Sequence, residues 1–141
     1  MSSHLNLDDY IKSMNLNPPE EPTEEKFIAL CHSFQTKYST YPNLLEINQH
    51  LTIVGSVHAQ FDDIQEMFDI CGHPPYTSYL FLGNFVDYGD KNISTITLLF
   101  SLSLKYPQYF YLLRGSHESR KMTKECGLFQ ELVNLYGTSR A

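Results

Sequence analysis

The sequence predicts an α/β fold in which parallel β-loop-α units form a sheet with flanking helices. Three runs of β-forming residues support this prediction, at positions 51–54, 79–82 and 109–113, roughly 30 residues apart. Each run leads into a glycine, then a polar loop, then a helical pattern. Strands that alternate with helices in this way are typical of a parallel sheet with crossover connections.

The first 50 residues predict a helical segment that precedes the α/β part, which occupies residues 51–141. Residues 5–14 place apolar side chains at helical spacing, and Pro18 with Pro19 ends that helix. After an acidic, proline-punctuated linker, Thr23 is a candidate N-cap for a second helix. That helix extends to about Tyr38 and is expected to bury Phe27, Leu30, Cys31 and Phe34.

Three more helices are predicted after the strands, over residues 62–70, 93–104 and 123–135. Each is expected to bury one face, and the predicted buried residues are Ile64, Met67 and Phe68, then Ile96, Leu99, Phe100 and Ser103, then Leu128, Leu132 and Leu135. The loops between each strand and its helix then meet at one edge of the sheet, where α/β folds place their sites.

The composition excludes several classes of function. A net charge of -6 with no basic cluster disfavours nucleic acid as a partner, because such binding depends on Lys and Arg neutralising phosphates. The three cysteines lack CxxC spacing, so neither a zinc knuckle nor a disulfide framework is indicated. Without a signal-like segment or an 18-residue apolar run, we expect no membrane insertion and a cytoplasmic location.

The three loops carry recognisable motifs. They read GSVHAQ, LGNFVDYG and LLRGSHESR, and they resemble the G-D-x-H-G-Q, G-D-x-V-D-R-G and R-G-N-H-E motifs of the phosphoprotein phosphatases, which are metal-dependent serine/threonine protein phosphatases. The likeness extends from about Leu5 to Tyr136 and is greatest to the type 2A branch. It implies a truncated metallophosphoesterase-like layered fold that corresponds to the N-terminal half of the family's catalytic domain.

The resemblance implies two divalent metal ions, of Mn, Fe or Zn, but the ligand positions are altered. His58 keeps the histidine ligand of the first motif, whereas Ser56 replaces its aspartate. Asn84 replaces the aspartate that bridges both metals, and Ser116 replaces an asparagine ligand. Two further histidine ligands of the family lie beyond position 141. Two dications close together repel each other strongly unless anionic ligands neutralise them, so we expect no metal pair here.

The substrate and catalytic positions are only partly retained. Tyr88 stands where the family has the arginine that grips phosphate, and a phenol cannot make that bidentate contact. His117 matches the general acid and Asp87 matches the carboxylate that orients it. As an alternative, His117 and Asp87 form a buried structural pair, and His58 is a hydrogen-bonded loop residue. Ala59 replaces a glycine, so the first loop is expected to be strained or reshaped.

Three hypotheses about function follow. The first is a pseudophosphatase, a binding module for the regulatory or scaffold subunits of active relatives. The second is a weakly active metal-dependent phosphatase that hydrolyses phosphoserine and phosphothreonine in proteins. The third is a gene fragment without a selected function. In each case a sheet without its covering layer would expose apolar area and favour self-association.

Overall fold

The computed structural model describes residues 5–137. Within this range the helices are α1 Leu7–Met14, α2 Glu24–Tyr38, α3 Phe61–Cys71, α4 Asn92–Lys105, α5 Arg120–Glu125 and α6 Leu128–Tyr136. The strands are β1 Thr52–Val54, β2 Tyr79–Phe81 and β3 Phe110–Leu112. Every predicted strand is therefore present and differs from its predicted bounds by at most one residue at each end.

The three strands form one parallel sheet in the order β1-β2-β3. Ile53 lies opposite Leu80, which in turn lies opposite Tyr111. Side chains alternate between the two faces of a strand, so Val54, Phe81 and Phe110 point to the opposite face and enter the hydrophobic core. The predicted α/β class with parallel units is confirmed.

Helix α4 lies at the centre of the molecule and is buried on nearly every side. All its residues from Asn92 to Leu99 are buried, and so are Ser101, Leu102 and Ser103. The prediction of one buried face was therefore too narrow, because α4 packs against α1, α2, α3, α6 and β3. Serine and threonine are small enough to allow this close approach of neighbouring helices.

Both N-terminal helices pack on α4. Thr23 is the N-cap of α2 as predicted, with its Oγ1 3.5 Å from the Lys26 N–H that it accepts. Phe34 stacks on Phe100, with ring centroids 3.8 Å apart, and the Tyr38 hydroxyl donates to the Ser103 carbonyl at 2.8 Å. Phe27 and Leu30 are fully buried as predicted, whereas Cys31 and Phe34 are only half-buried. A domain division at residue 50 stays a prediction.

The predicted helix over residues 123–135 is wrong in its extent. Two helices, α5 and α6, occupy this region and are separated by Cys126 and Gly127. Gly127 has φ +135°, which is incompatible with a continuous right-handed helix. Within α6, Leu128 and Leu132 pack against the core as predicted, whereas the prediction for Leu135 is wrong, since this residue is 42% exposed.

The second face of the sheet is only partly covered, since Leu80 and Tyr111 in its middle are half-buried. Ile53 is 63% exposed, and the residues that follow the other two strands, Leu82 and Leu113, are about half exposed. The strands alternate strictly, so these side chains share the face opposite the core. The predicted exposure of an apolar sheet face is confirmed for the described residues.

Candidate functional site

The loops that follow β1, β2 and β3 meet at one edge of the sheet, as the sequence predicts. The backbone carbonyl of Asn84 accepts the N–H groups of Val57 and His58, at 3.1 and 3.0 Å, and the carbonyl of Phe85 accepts the N–H of Ala59 at 3.0 Å. Backbone hydrogen bonds therefore hold the first loop directly against the second. Their side chains are brought to a common cleft.

Several loop residues adopt left-handed backbone conformations. They are His58, Ala59, Asn84, Asp87 and Tyr88, with φ between +43° and +70°. Such values are uncommon outside glycine and cluster at sites where the surrounding structure holds the chain tightly. Ala59, at φ +57°, adopts the conformation for which a glycine would be suited, so the predicted strain of the first loop is present.

Asn84 lies at the centre of the cleft, and both the oxygen and the nitrogen of its side-chain amide form hydrogen bonds. Its Oδ1 accepts the backbone N–H of His117 at 3.0 Å and the Ser116 hydroxyl at 3.3 Å. Its Nδ2 donates to the Ser56 hydroxyl at 3.3 Å. The three positions predicted from the motifs as altered metal ligands thus form one neutral hydrogen-bonded cluster.

Glu118 fixes the second and third loops to each other. Its Oε2 accepts the backbone N–H groups of Asn84 and Gly115, both at 2.7 Å, and its Oε1 accepts that of Phe85 at 2.9 Å. The sequence reasoning did not assign Glu118 to the site. The available signal was the glutamate that follows the histidine in the third motif, since a carboxylate within a loop can accept several backbone N–H groups.

His117 and Asp87 form the predicted pair. His117 Nδ1 lies 3.0 Å from Asp87 Oδ2, and both residues are buried. The other carboxylate oxygen accepts the backbone N–H of Leu128 at 3.0 Å, and the backbone N–H of Asp87 donates to the Asn92 side chain at 2.6 Å. The carboxylate therefore orients the imidazole and also connects this loop to α6.

The hydrogen bond of the His58 imidazole defines which of its two ring nitrogens carries the proton. Its Nδ1 lies 3.1 Å from the carbonyl oxygen of Val86, and a carbonyl can only accept a hydrogen bond. Nδ1 therefore carries the proton, and in the neutral ring Nε2 keeps the free lone pair. The His58 ring lies 4.9 Å from the His117 ring, centroid to centroid.

Tyr88 lies over these two histidines. Its ring centroid is 5.1 Å from that of His58 and 5.0 Å from that of His117, and the residue is 67% exposed. The neighbouring Cys126 side chain, with a smaller contribution from the negative charge of Asp87, raises the pKa of the Tyr88 phenol above its usual value. The position predicted from the motif to bind phosphate is therefore occupied by an uncharged ring.

The described residues do not fit a pair of divalent ions. Ser56, Asn84 and Ser116 offer hydroxyl and amide groups that already bond to one another, and His58 offers one nitrogen. The buried carboxylate of Asp87 is engaged by His117 and Leu128. Hard dications require several anionic or strongly dipolar oxygens, which this set does not supply.

Comparisons with known proteins agree with this fold and these motifs. Residues 50–140 match the family model described as calcineurin-like phosphoesterase. The chain belongs to that family, whose metallophosphoesterase members are associated with divalent metals.

Its relatives are serine/threonine protein phosphatases. The serine/threonine-protein phosphatase PP2A-like PPG1 of Candida albicans is 41% identical over 119 residues, which cover 84% of this chain and 29% of the relative. A Schizosaccharomyces pombe protein, whose name assigns it provisionally to the serine/threonine-protein phosphatases, is 40% identical over 135 residues, which cover 96% of this chain and 43% of the relative. The chain thus spans less than half the length of these relatives.

A solved structure shows the same architecture. It is a protein serine/threonine phosphatase from Saccharomyces cerevisiae described as similar to human phosphatase PP5. It matches with a TM-score of 0.85 and 26% identity, over 93% of this chain and 45% of that chain. The predicted resemblance to the phosphoprotein phosphatases is confirmed. Among the helices of residues 5–137, none is long and apolar enough to cross a membrane.

Proposed function

We propose that this chain is a pseudophosphatase, a serine/threonine phosphatase-like binding module without phosphoesterase activity. One observation carries the proposal: the Asn84 amide occupies the centre of the cleft and bonds to Ser56, Ser116 and the backbone of His117. A neutral amide with these partners gives a metal ion neither negative charge nor a free position. Without a metal-activated water, His117 has no nucleophile to assist.

The intact loop framework supports a binding role. Glu118 and the backbone bonds between the first two loops keep the phosphatase-like shape although the ligand residues have changed. A protein that keeps part of the surface of its relatives can compete for their partners. We therefore expect the chain to bind regulatory or scaffold subunits of type 2A-like phosphatases, in the cytoplasm.

Binding is tested by calorimetry with purified scaffold and regulatory subunits. A saturable complex that an active type 2A catalytic subunit displaces would support the proposal, because displacement shows a shared binding surface. Absence of binding to every subunit tested, under conditions in which the active catalytic subunit binds, would contradict it.

The second candidate function is weak metal-dependent hydrolysis of phosphoserine and phosphothreonine. The buried pair of His117 and Asp87 favours it, since a carboxylate that orients an imidazole is the arrangement of a general acid. His58 keeps one nitrogen free for a metal.

A manganese titration combined with phosphopeptide hydrolysis separates the two functions. The pseudophosphatase predicts no manganese-dependent turnover above that of the His117→Ala variant. Turnover that requires manganese and falls at least about 100-fold in His117→Ala would establish the weak phosphatase instead.

A further inference from the structure

A second group of potential ligands lies beside the altered motif residues. Asp87, His117 and Cys126 each place one ligand atom within 4.8 Å of the others, which no other group of three such side chains achieves within residues 5–137. Asp87 and His117 are buried and Cys126 is half-buried. We propose that these three residues form a mononuclear zinc site, distinct from the two-metal site of the family.

The distances suit a single tetrahedral ion. Zinc bonds of about 2.0–2.3 Å to oxygen, nitrogen and sulfur place tetrahedral ligand atoms ~3.3–3.7 Å apart. His117 Nδ1 and Asp87 Oδ2 are already 3.0 Å apart, and Cys126 Sγ lies within 4.8 Å of both ligand groups. A movement of roughly 1 Å by the sulfur, through rotation about the Cα–Cβ bond of Cys126, would place the three ligand atoms at three vertices of the tetrahedron.

The backbone holds Cys126 in place for this role. Its carbonyl accepts the N–H of Tyr88 at 3.0 Å, and its own N–H donates to the carbonyl of Met122, within α5, at 2.9 Å. Two residues later, the N–H of Leu128 donates to Asp87 at 3.0 Å. The turn that carries the sulfur is therefore bonded on both sides to the turn that carries the carboxylate.

The donor set selects for zinc over the hard ions. A thiolate, an imidazole and a carboxylate together suit zinc, whereas magnesium and manganese prefer all-oxygen ligands. One thiolate and one carboxylate also balance the +2 charge, which the Ser56, Asn84 and Ser116 cluster cannot do. Water would supply the fourth ligand.

Zinc bound here would occupy His117 and Asp87. The imidazole could then no longer donate a proton to a leaving group. The proposed ion is therefore structural: it would connect the loop after β2, the loop after β3 and the turn between α5 and α6. It does not depend on the pseudophosphatase proposal, which concerns manganese and a different set of ligands.

Cobalt substitution tests the site in the 141-residue chain, with a phosphine as reductant. We expect one equivalent of Co²⁺ to give a thiolate-to-cobalt charge-transfer band in the near ultraviolet, which one equivalent of Zn²⁺ removes. Cys126→Ser should abolish the band and weaken zinc binding by more than about tenfold. Cys71→Ser, at an exposed cysteine, is the matched control and should leave the charge-transfer band and the zinc affinity unchanged.

The variant Cys126→His provides a second test of the site in case Cys126→Ser does not fold. It should retain zinc through a nitrogen ligand while losing the charge-transfer band. Thermal melts with and without zinc should show stabilisation in the wild type and in Cys126→His. A band that persists in Cys126→Ser, or a wild type that takes up no cobalt, would overturn the proposal.

Discussion

Glu118 accepts the backbone N–H of Asn84 at 2.7 Å and so supports the residue at the centre of the cleft from below. Two more backbone N–H groups, from Phe85 and Gly115, end on the same carboxylate. Hydrogen bonds to a charged acceptor stabilise by about 1.5–3 kcal/mol each, and a buried N–H that loses its partner carries a similar cost. This carboxylate is thus the main polar connection between the second and third loops.

Glu118→Ala should lower the free energy of unfolding by more than about 2 kcal/mol, because three backbone N–H groups lose their acceptor. Glu118→Gln should have a smaller effect, since its amide oxygen still accepts while its NH₂ group opposes at least one donor. Urea denaturation measures both variants. Glu66→Ala, at an exposed position on α3, is the control and should change stability by less than about 0.5 kcal/mol. Equal stabilities for Glu118→Ala and the control would show that these bonds do not hold the loops.

Restoring negative charge to the motif positions should restore affinity for a hard metal ion. In the double variant Ser56→Asp and Asn84→Asp, two carboxylates replace a hydroxyl and an amide at the centre of the cleft. We expect Mn²⁺ affinity to rise at least about tenfold over the wild type by calorimetry. An unchanged affinity would mean that the two substituted ligands do not limit metal binding in this chain.

The buried hydroxyls of α4 differ in their partners, and this difference predicts opposite effects on stability. Thr97 Oγ1 is buried without a hydrogen-bond partner among the described residues, whereas Ser103 Oγ donates to the Phe110 carbonyl at 3.1 Å. Thr97→Val removes a buried hydroxyl that forms no hydrogen bond, so the substitution should leave the free energy of unfolding unchanged or raise it by up to about 1 kcal/mol. Ser103→Ala should destabilise by about 1 kcal/mol.

Thermal or urea unfolding of these two α4 variants provides the measurement. They change side chains of similar size on the same helix, so each serves as the control for the other. If Thr97→Val and Ser103→Ala both lowered the free energy of unfolding, or both raised it, the assigned hydrogen bonds would be contradicted.

Gly127 separates helices α5 and α6, and the position requires glycine because of its backbone conformation. An added Cβ would meet only the Tyr88 nitrogen, at an ordinary 3.6 Å, so space does not require glycine here. The φ of +135° does require glycine, because residues with a Cβ rarely adopt that value. Gly127→Ala should therefore destabilise by about 1–2 kcal/mol. Gly55→Ala is the matched control, since an added Cβ there meets nothing within 4 Å, and it should have little effect.

The cysteines should differ in their response to pH. Burial raises the pKa of the Cys31 thiol to about 11, from an ordinary value near 9. The folded state favours the neutral thiol, so this contribution to stability is complete below pH 9 and is lost as the pH rises through 11. At pH 8 Cys31 should therefore alkylate far more slowly than the exposed Cys71. Peptide mass spectrometry after timed iodoacetamide treatment measures the two rates, and equal rates would contradict the burial of Cys31.

The sequence predicted the sheet and the convergence of its loops because β-branched and aromatic runs followed by glycine are strong local signals. The structure brings Ser56, Asn84, Ser116, His117 and Asp87 together, as expected from the shared edge of parallel strands, whereas the roles assigned to them stay predictions. It could not predict the break at Gly127, because the helical pattern of apolar residues continues across that glycine. Nor could it predict that α4 is buried all round, which depends on helices from both ends of the chain.

Cys126 shows a further limit of sequence reasoning. It lies far along the chain from Asp87, and the pair lacks any spacing that a zinc motif would show. Only the fold brings the two together, through the bond from Leu128 to the Asp87 carboxylate. Ligand clusters assembled from three separate segments leave no local pattern.

Helix α4 packs against the two N-terminal helices and against β3, and the chain connection from α2 to the sheet and α4 runs through the residues after Tyr38. A protease that cut within the exposed connection after Tyr38 would leave two chains, and the shorter one would remain bound through Phe34 and Tyr38. The N-terminal 38 residues would behave as a tightly held ligand for the remaining chain. Supplied as a separate peptide, they should restore folding to a chain that lacks them.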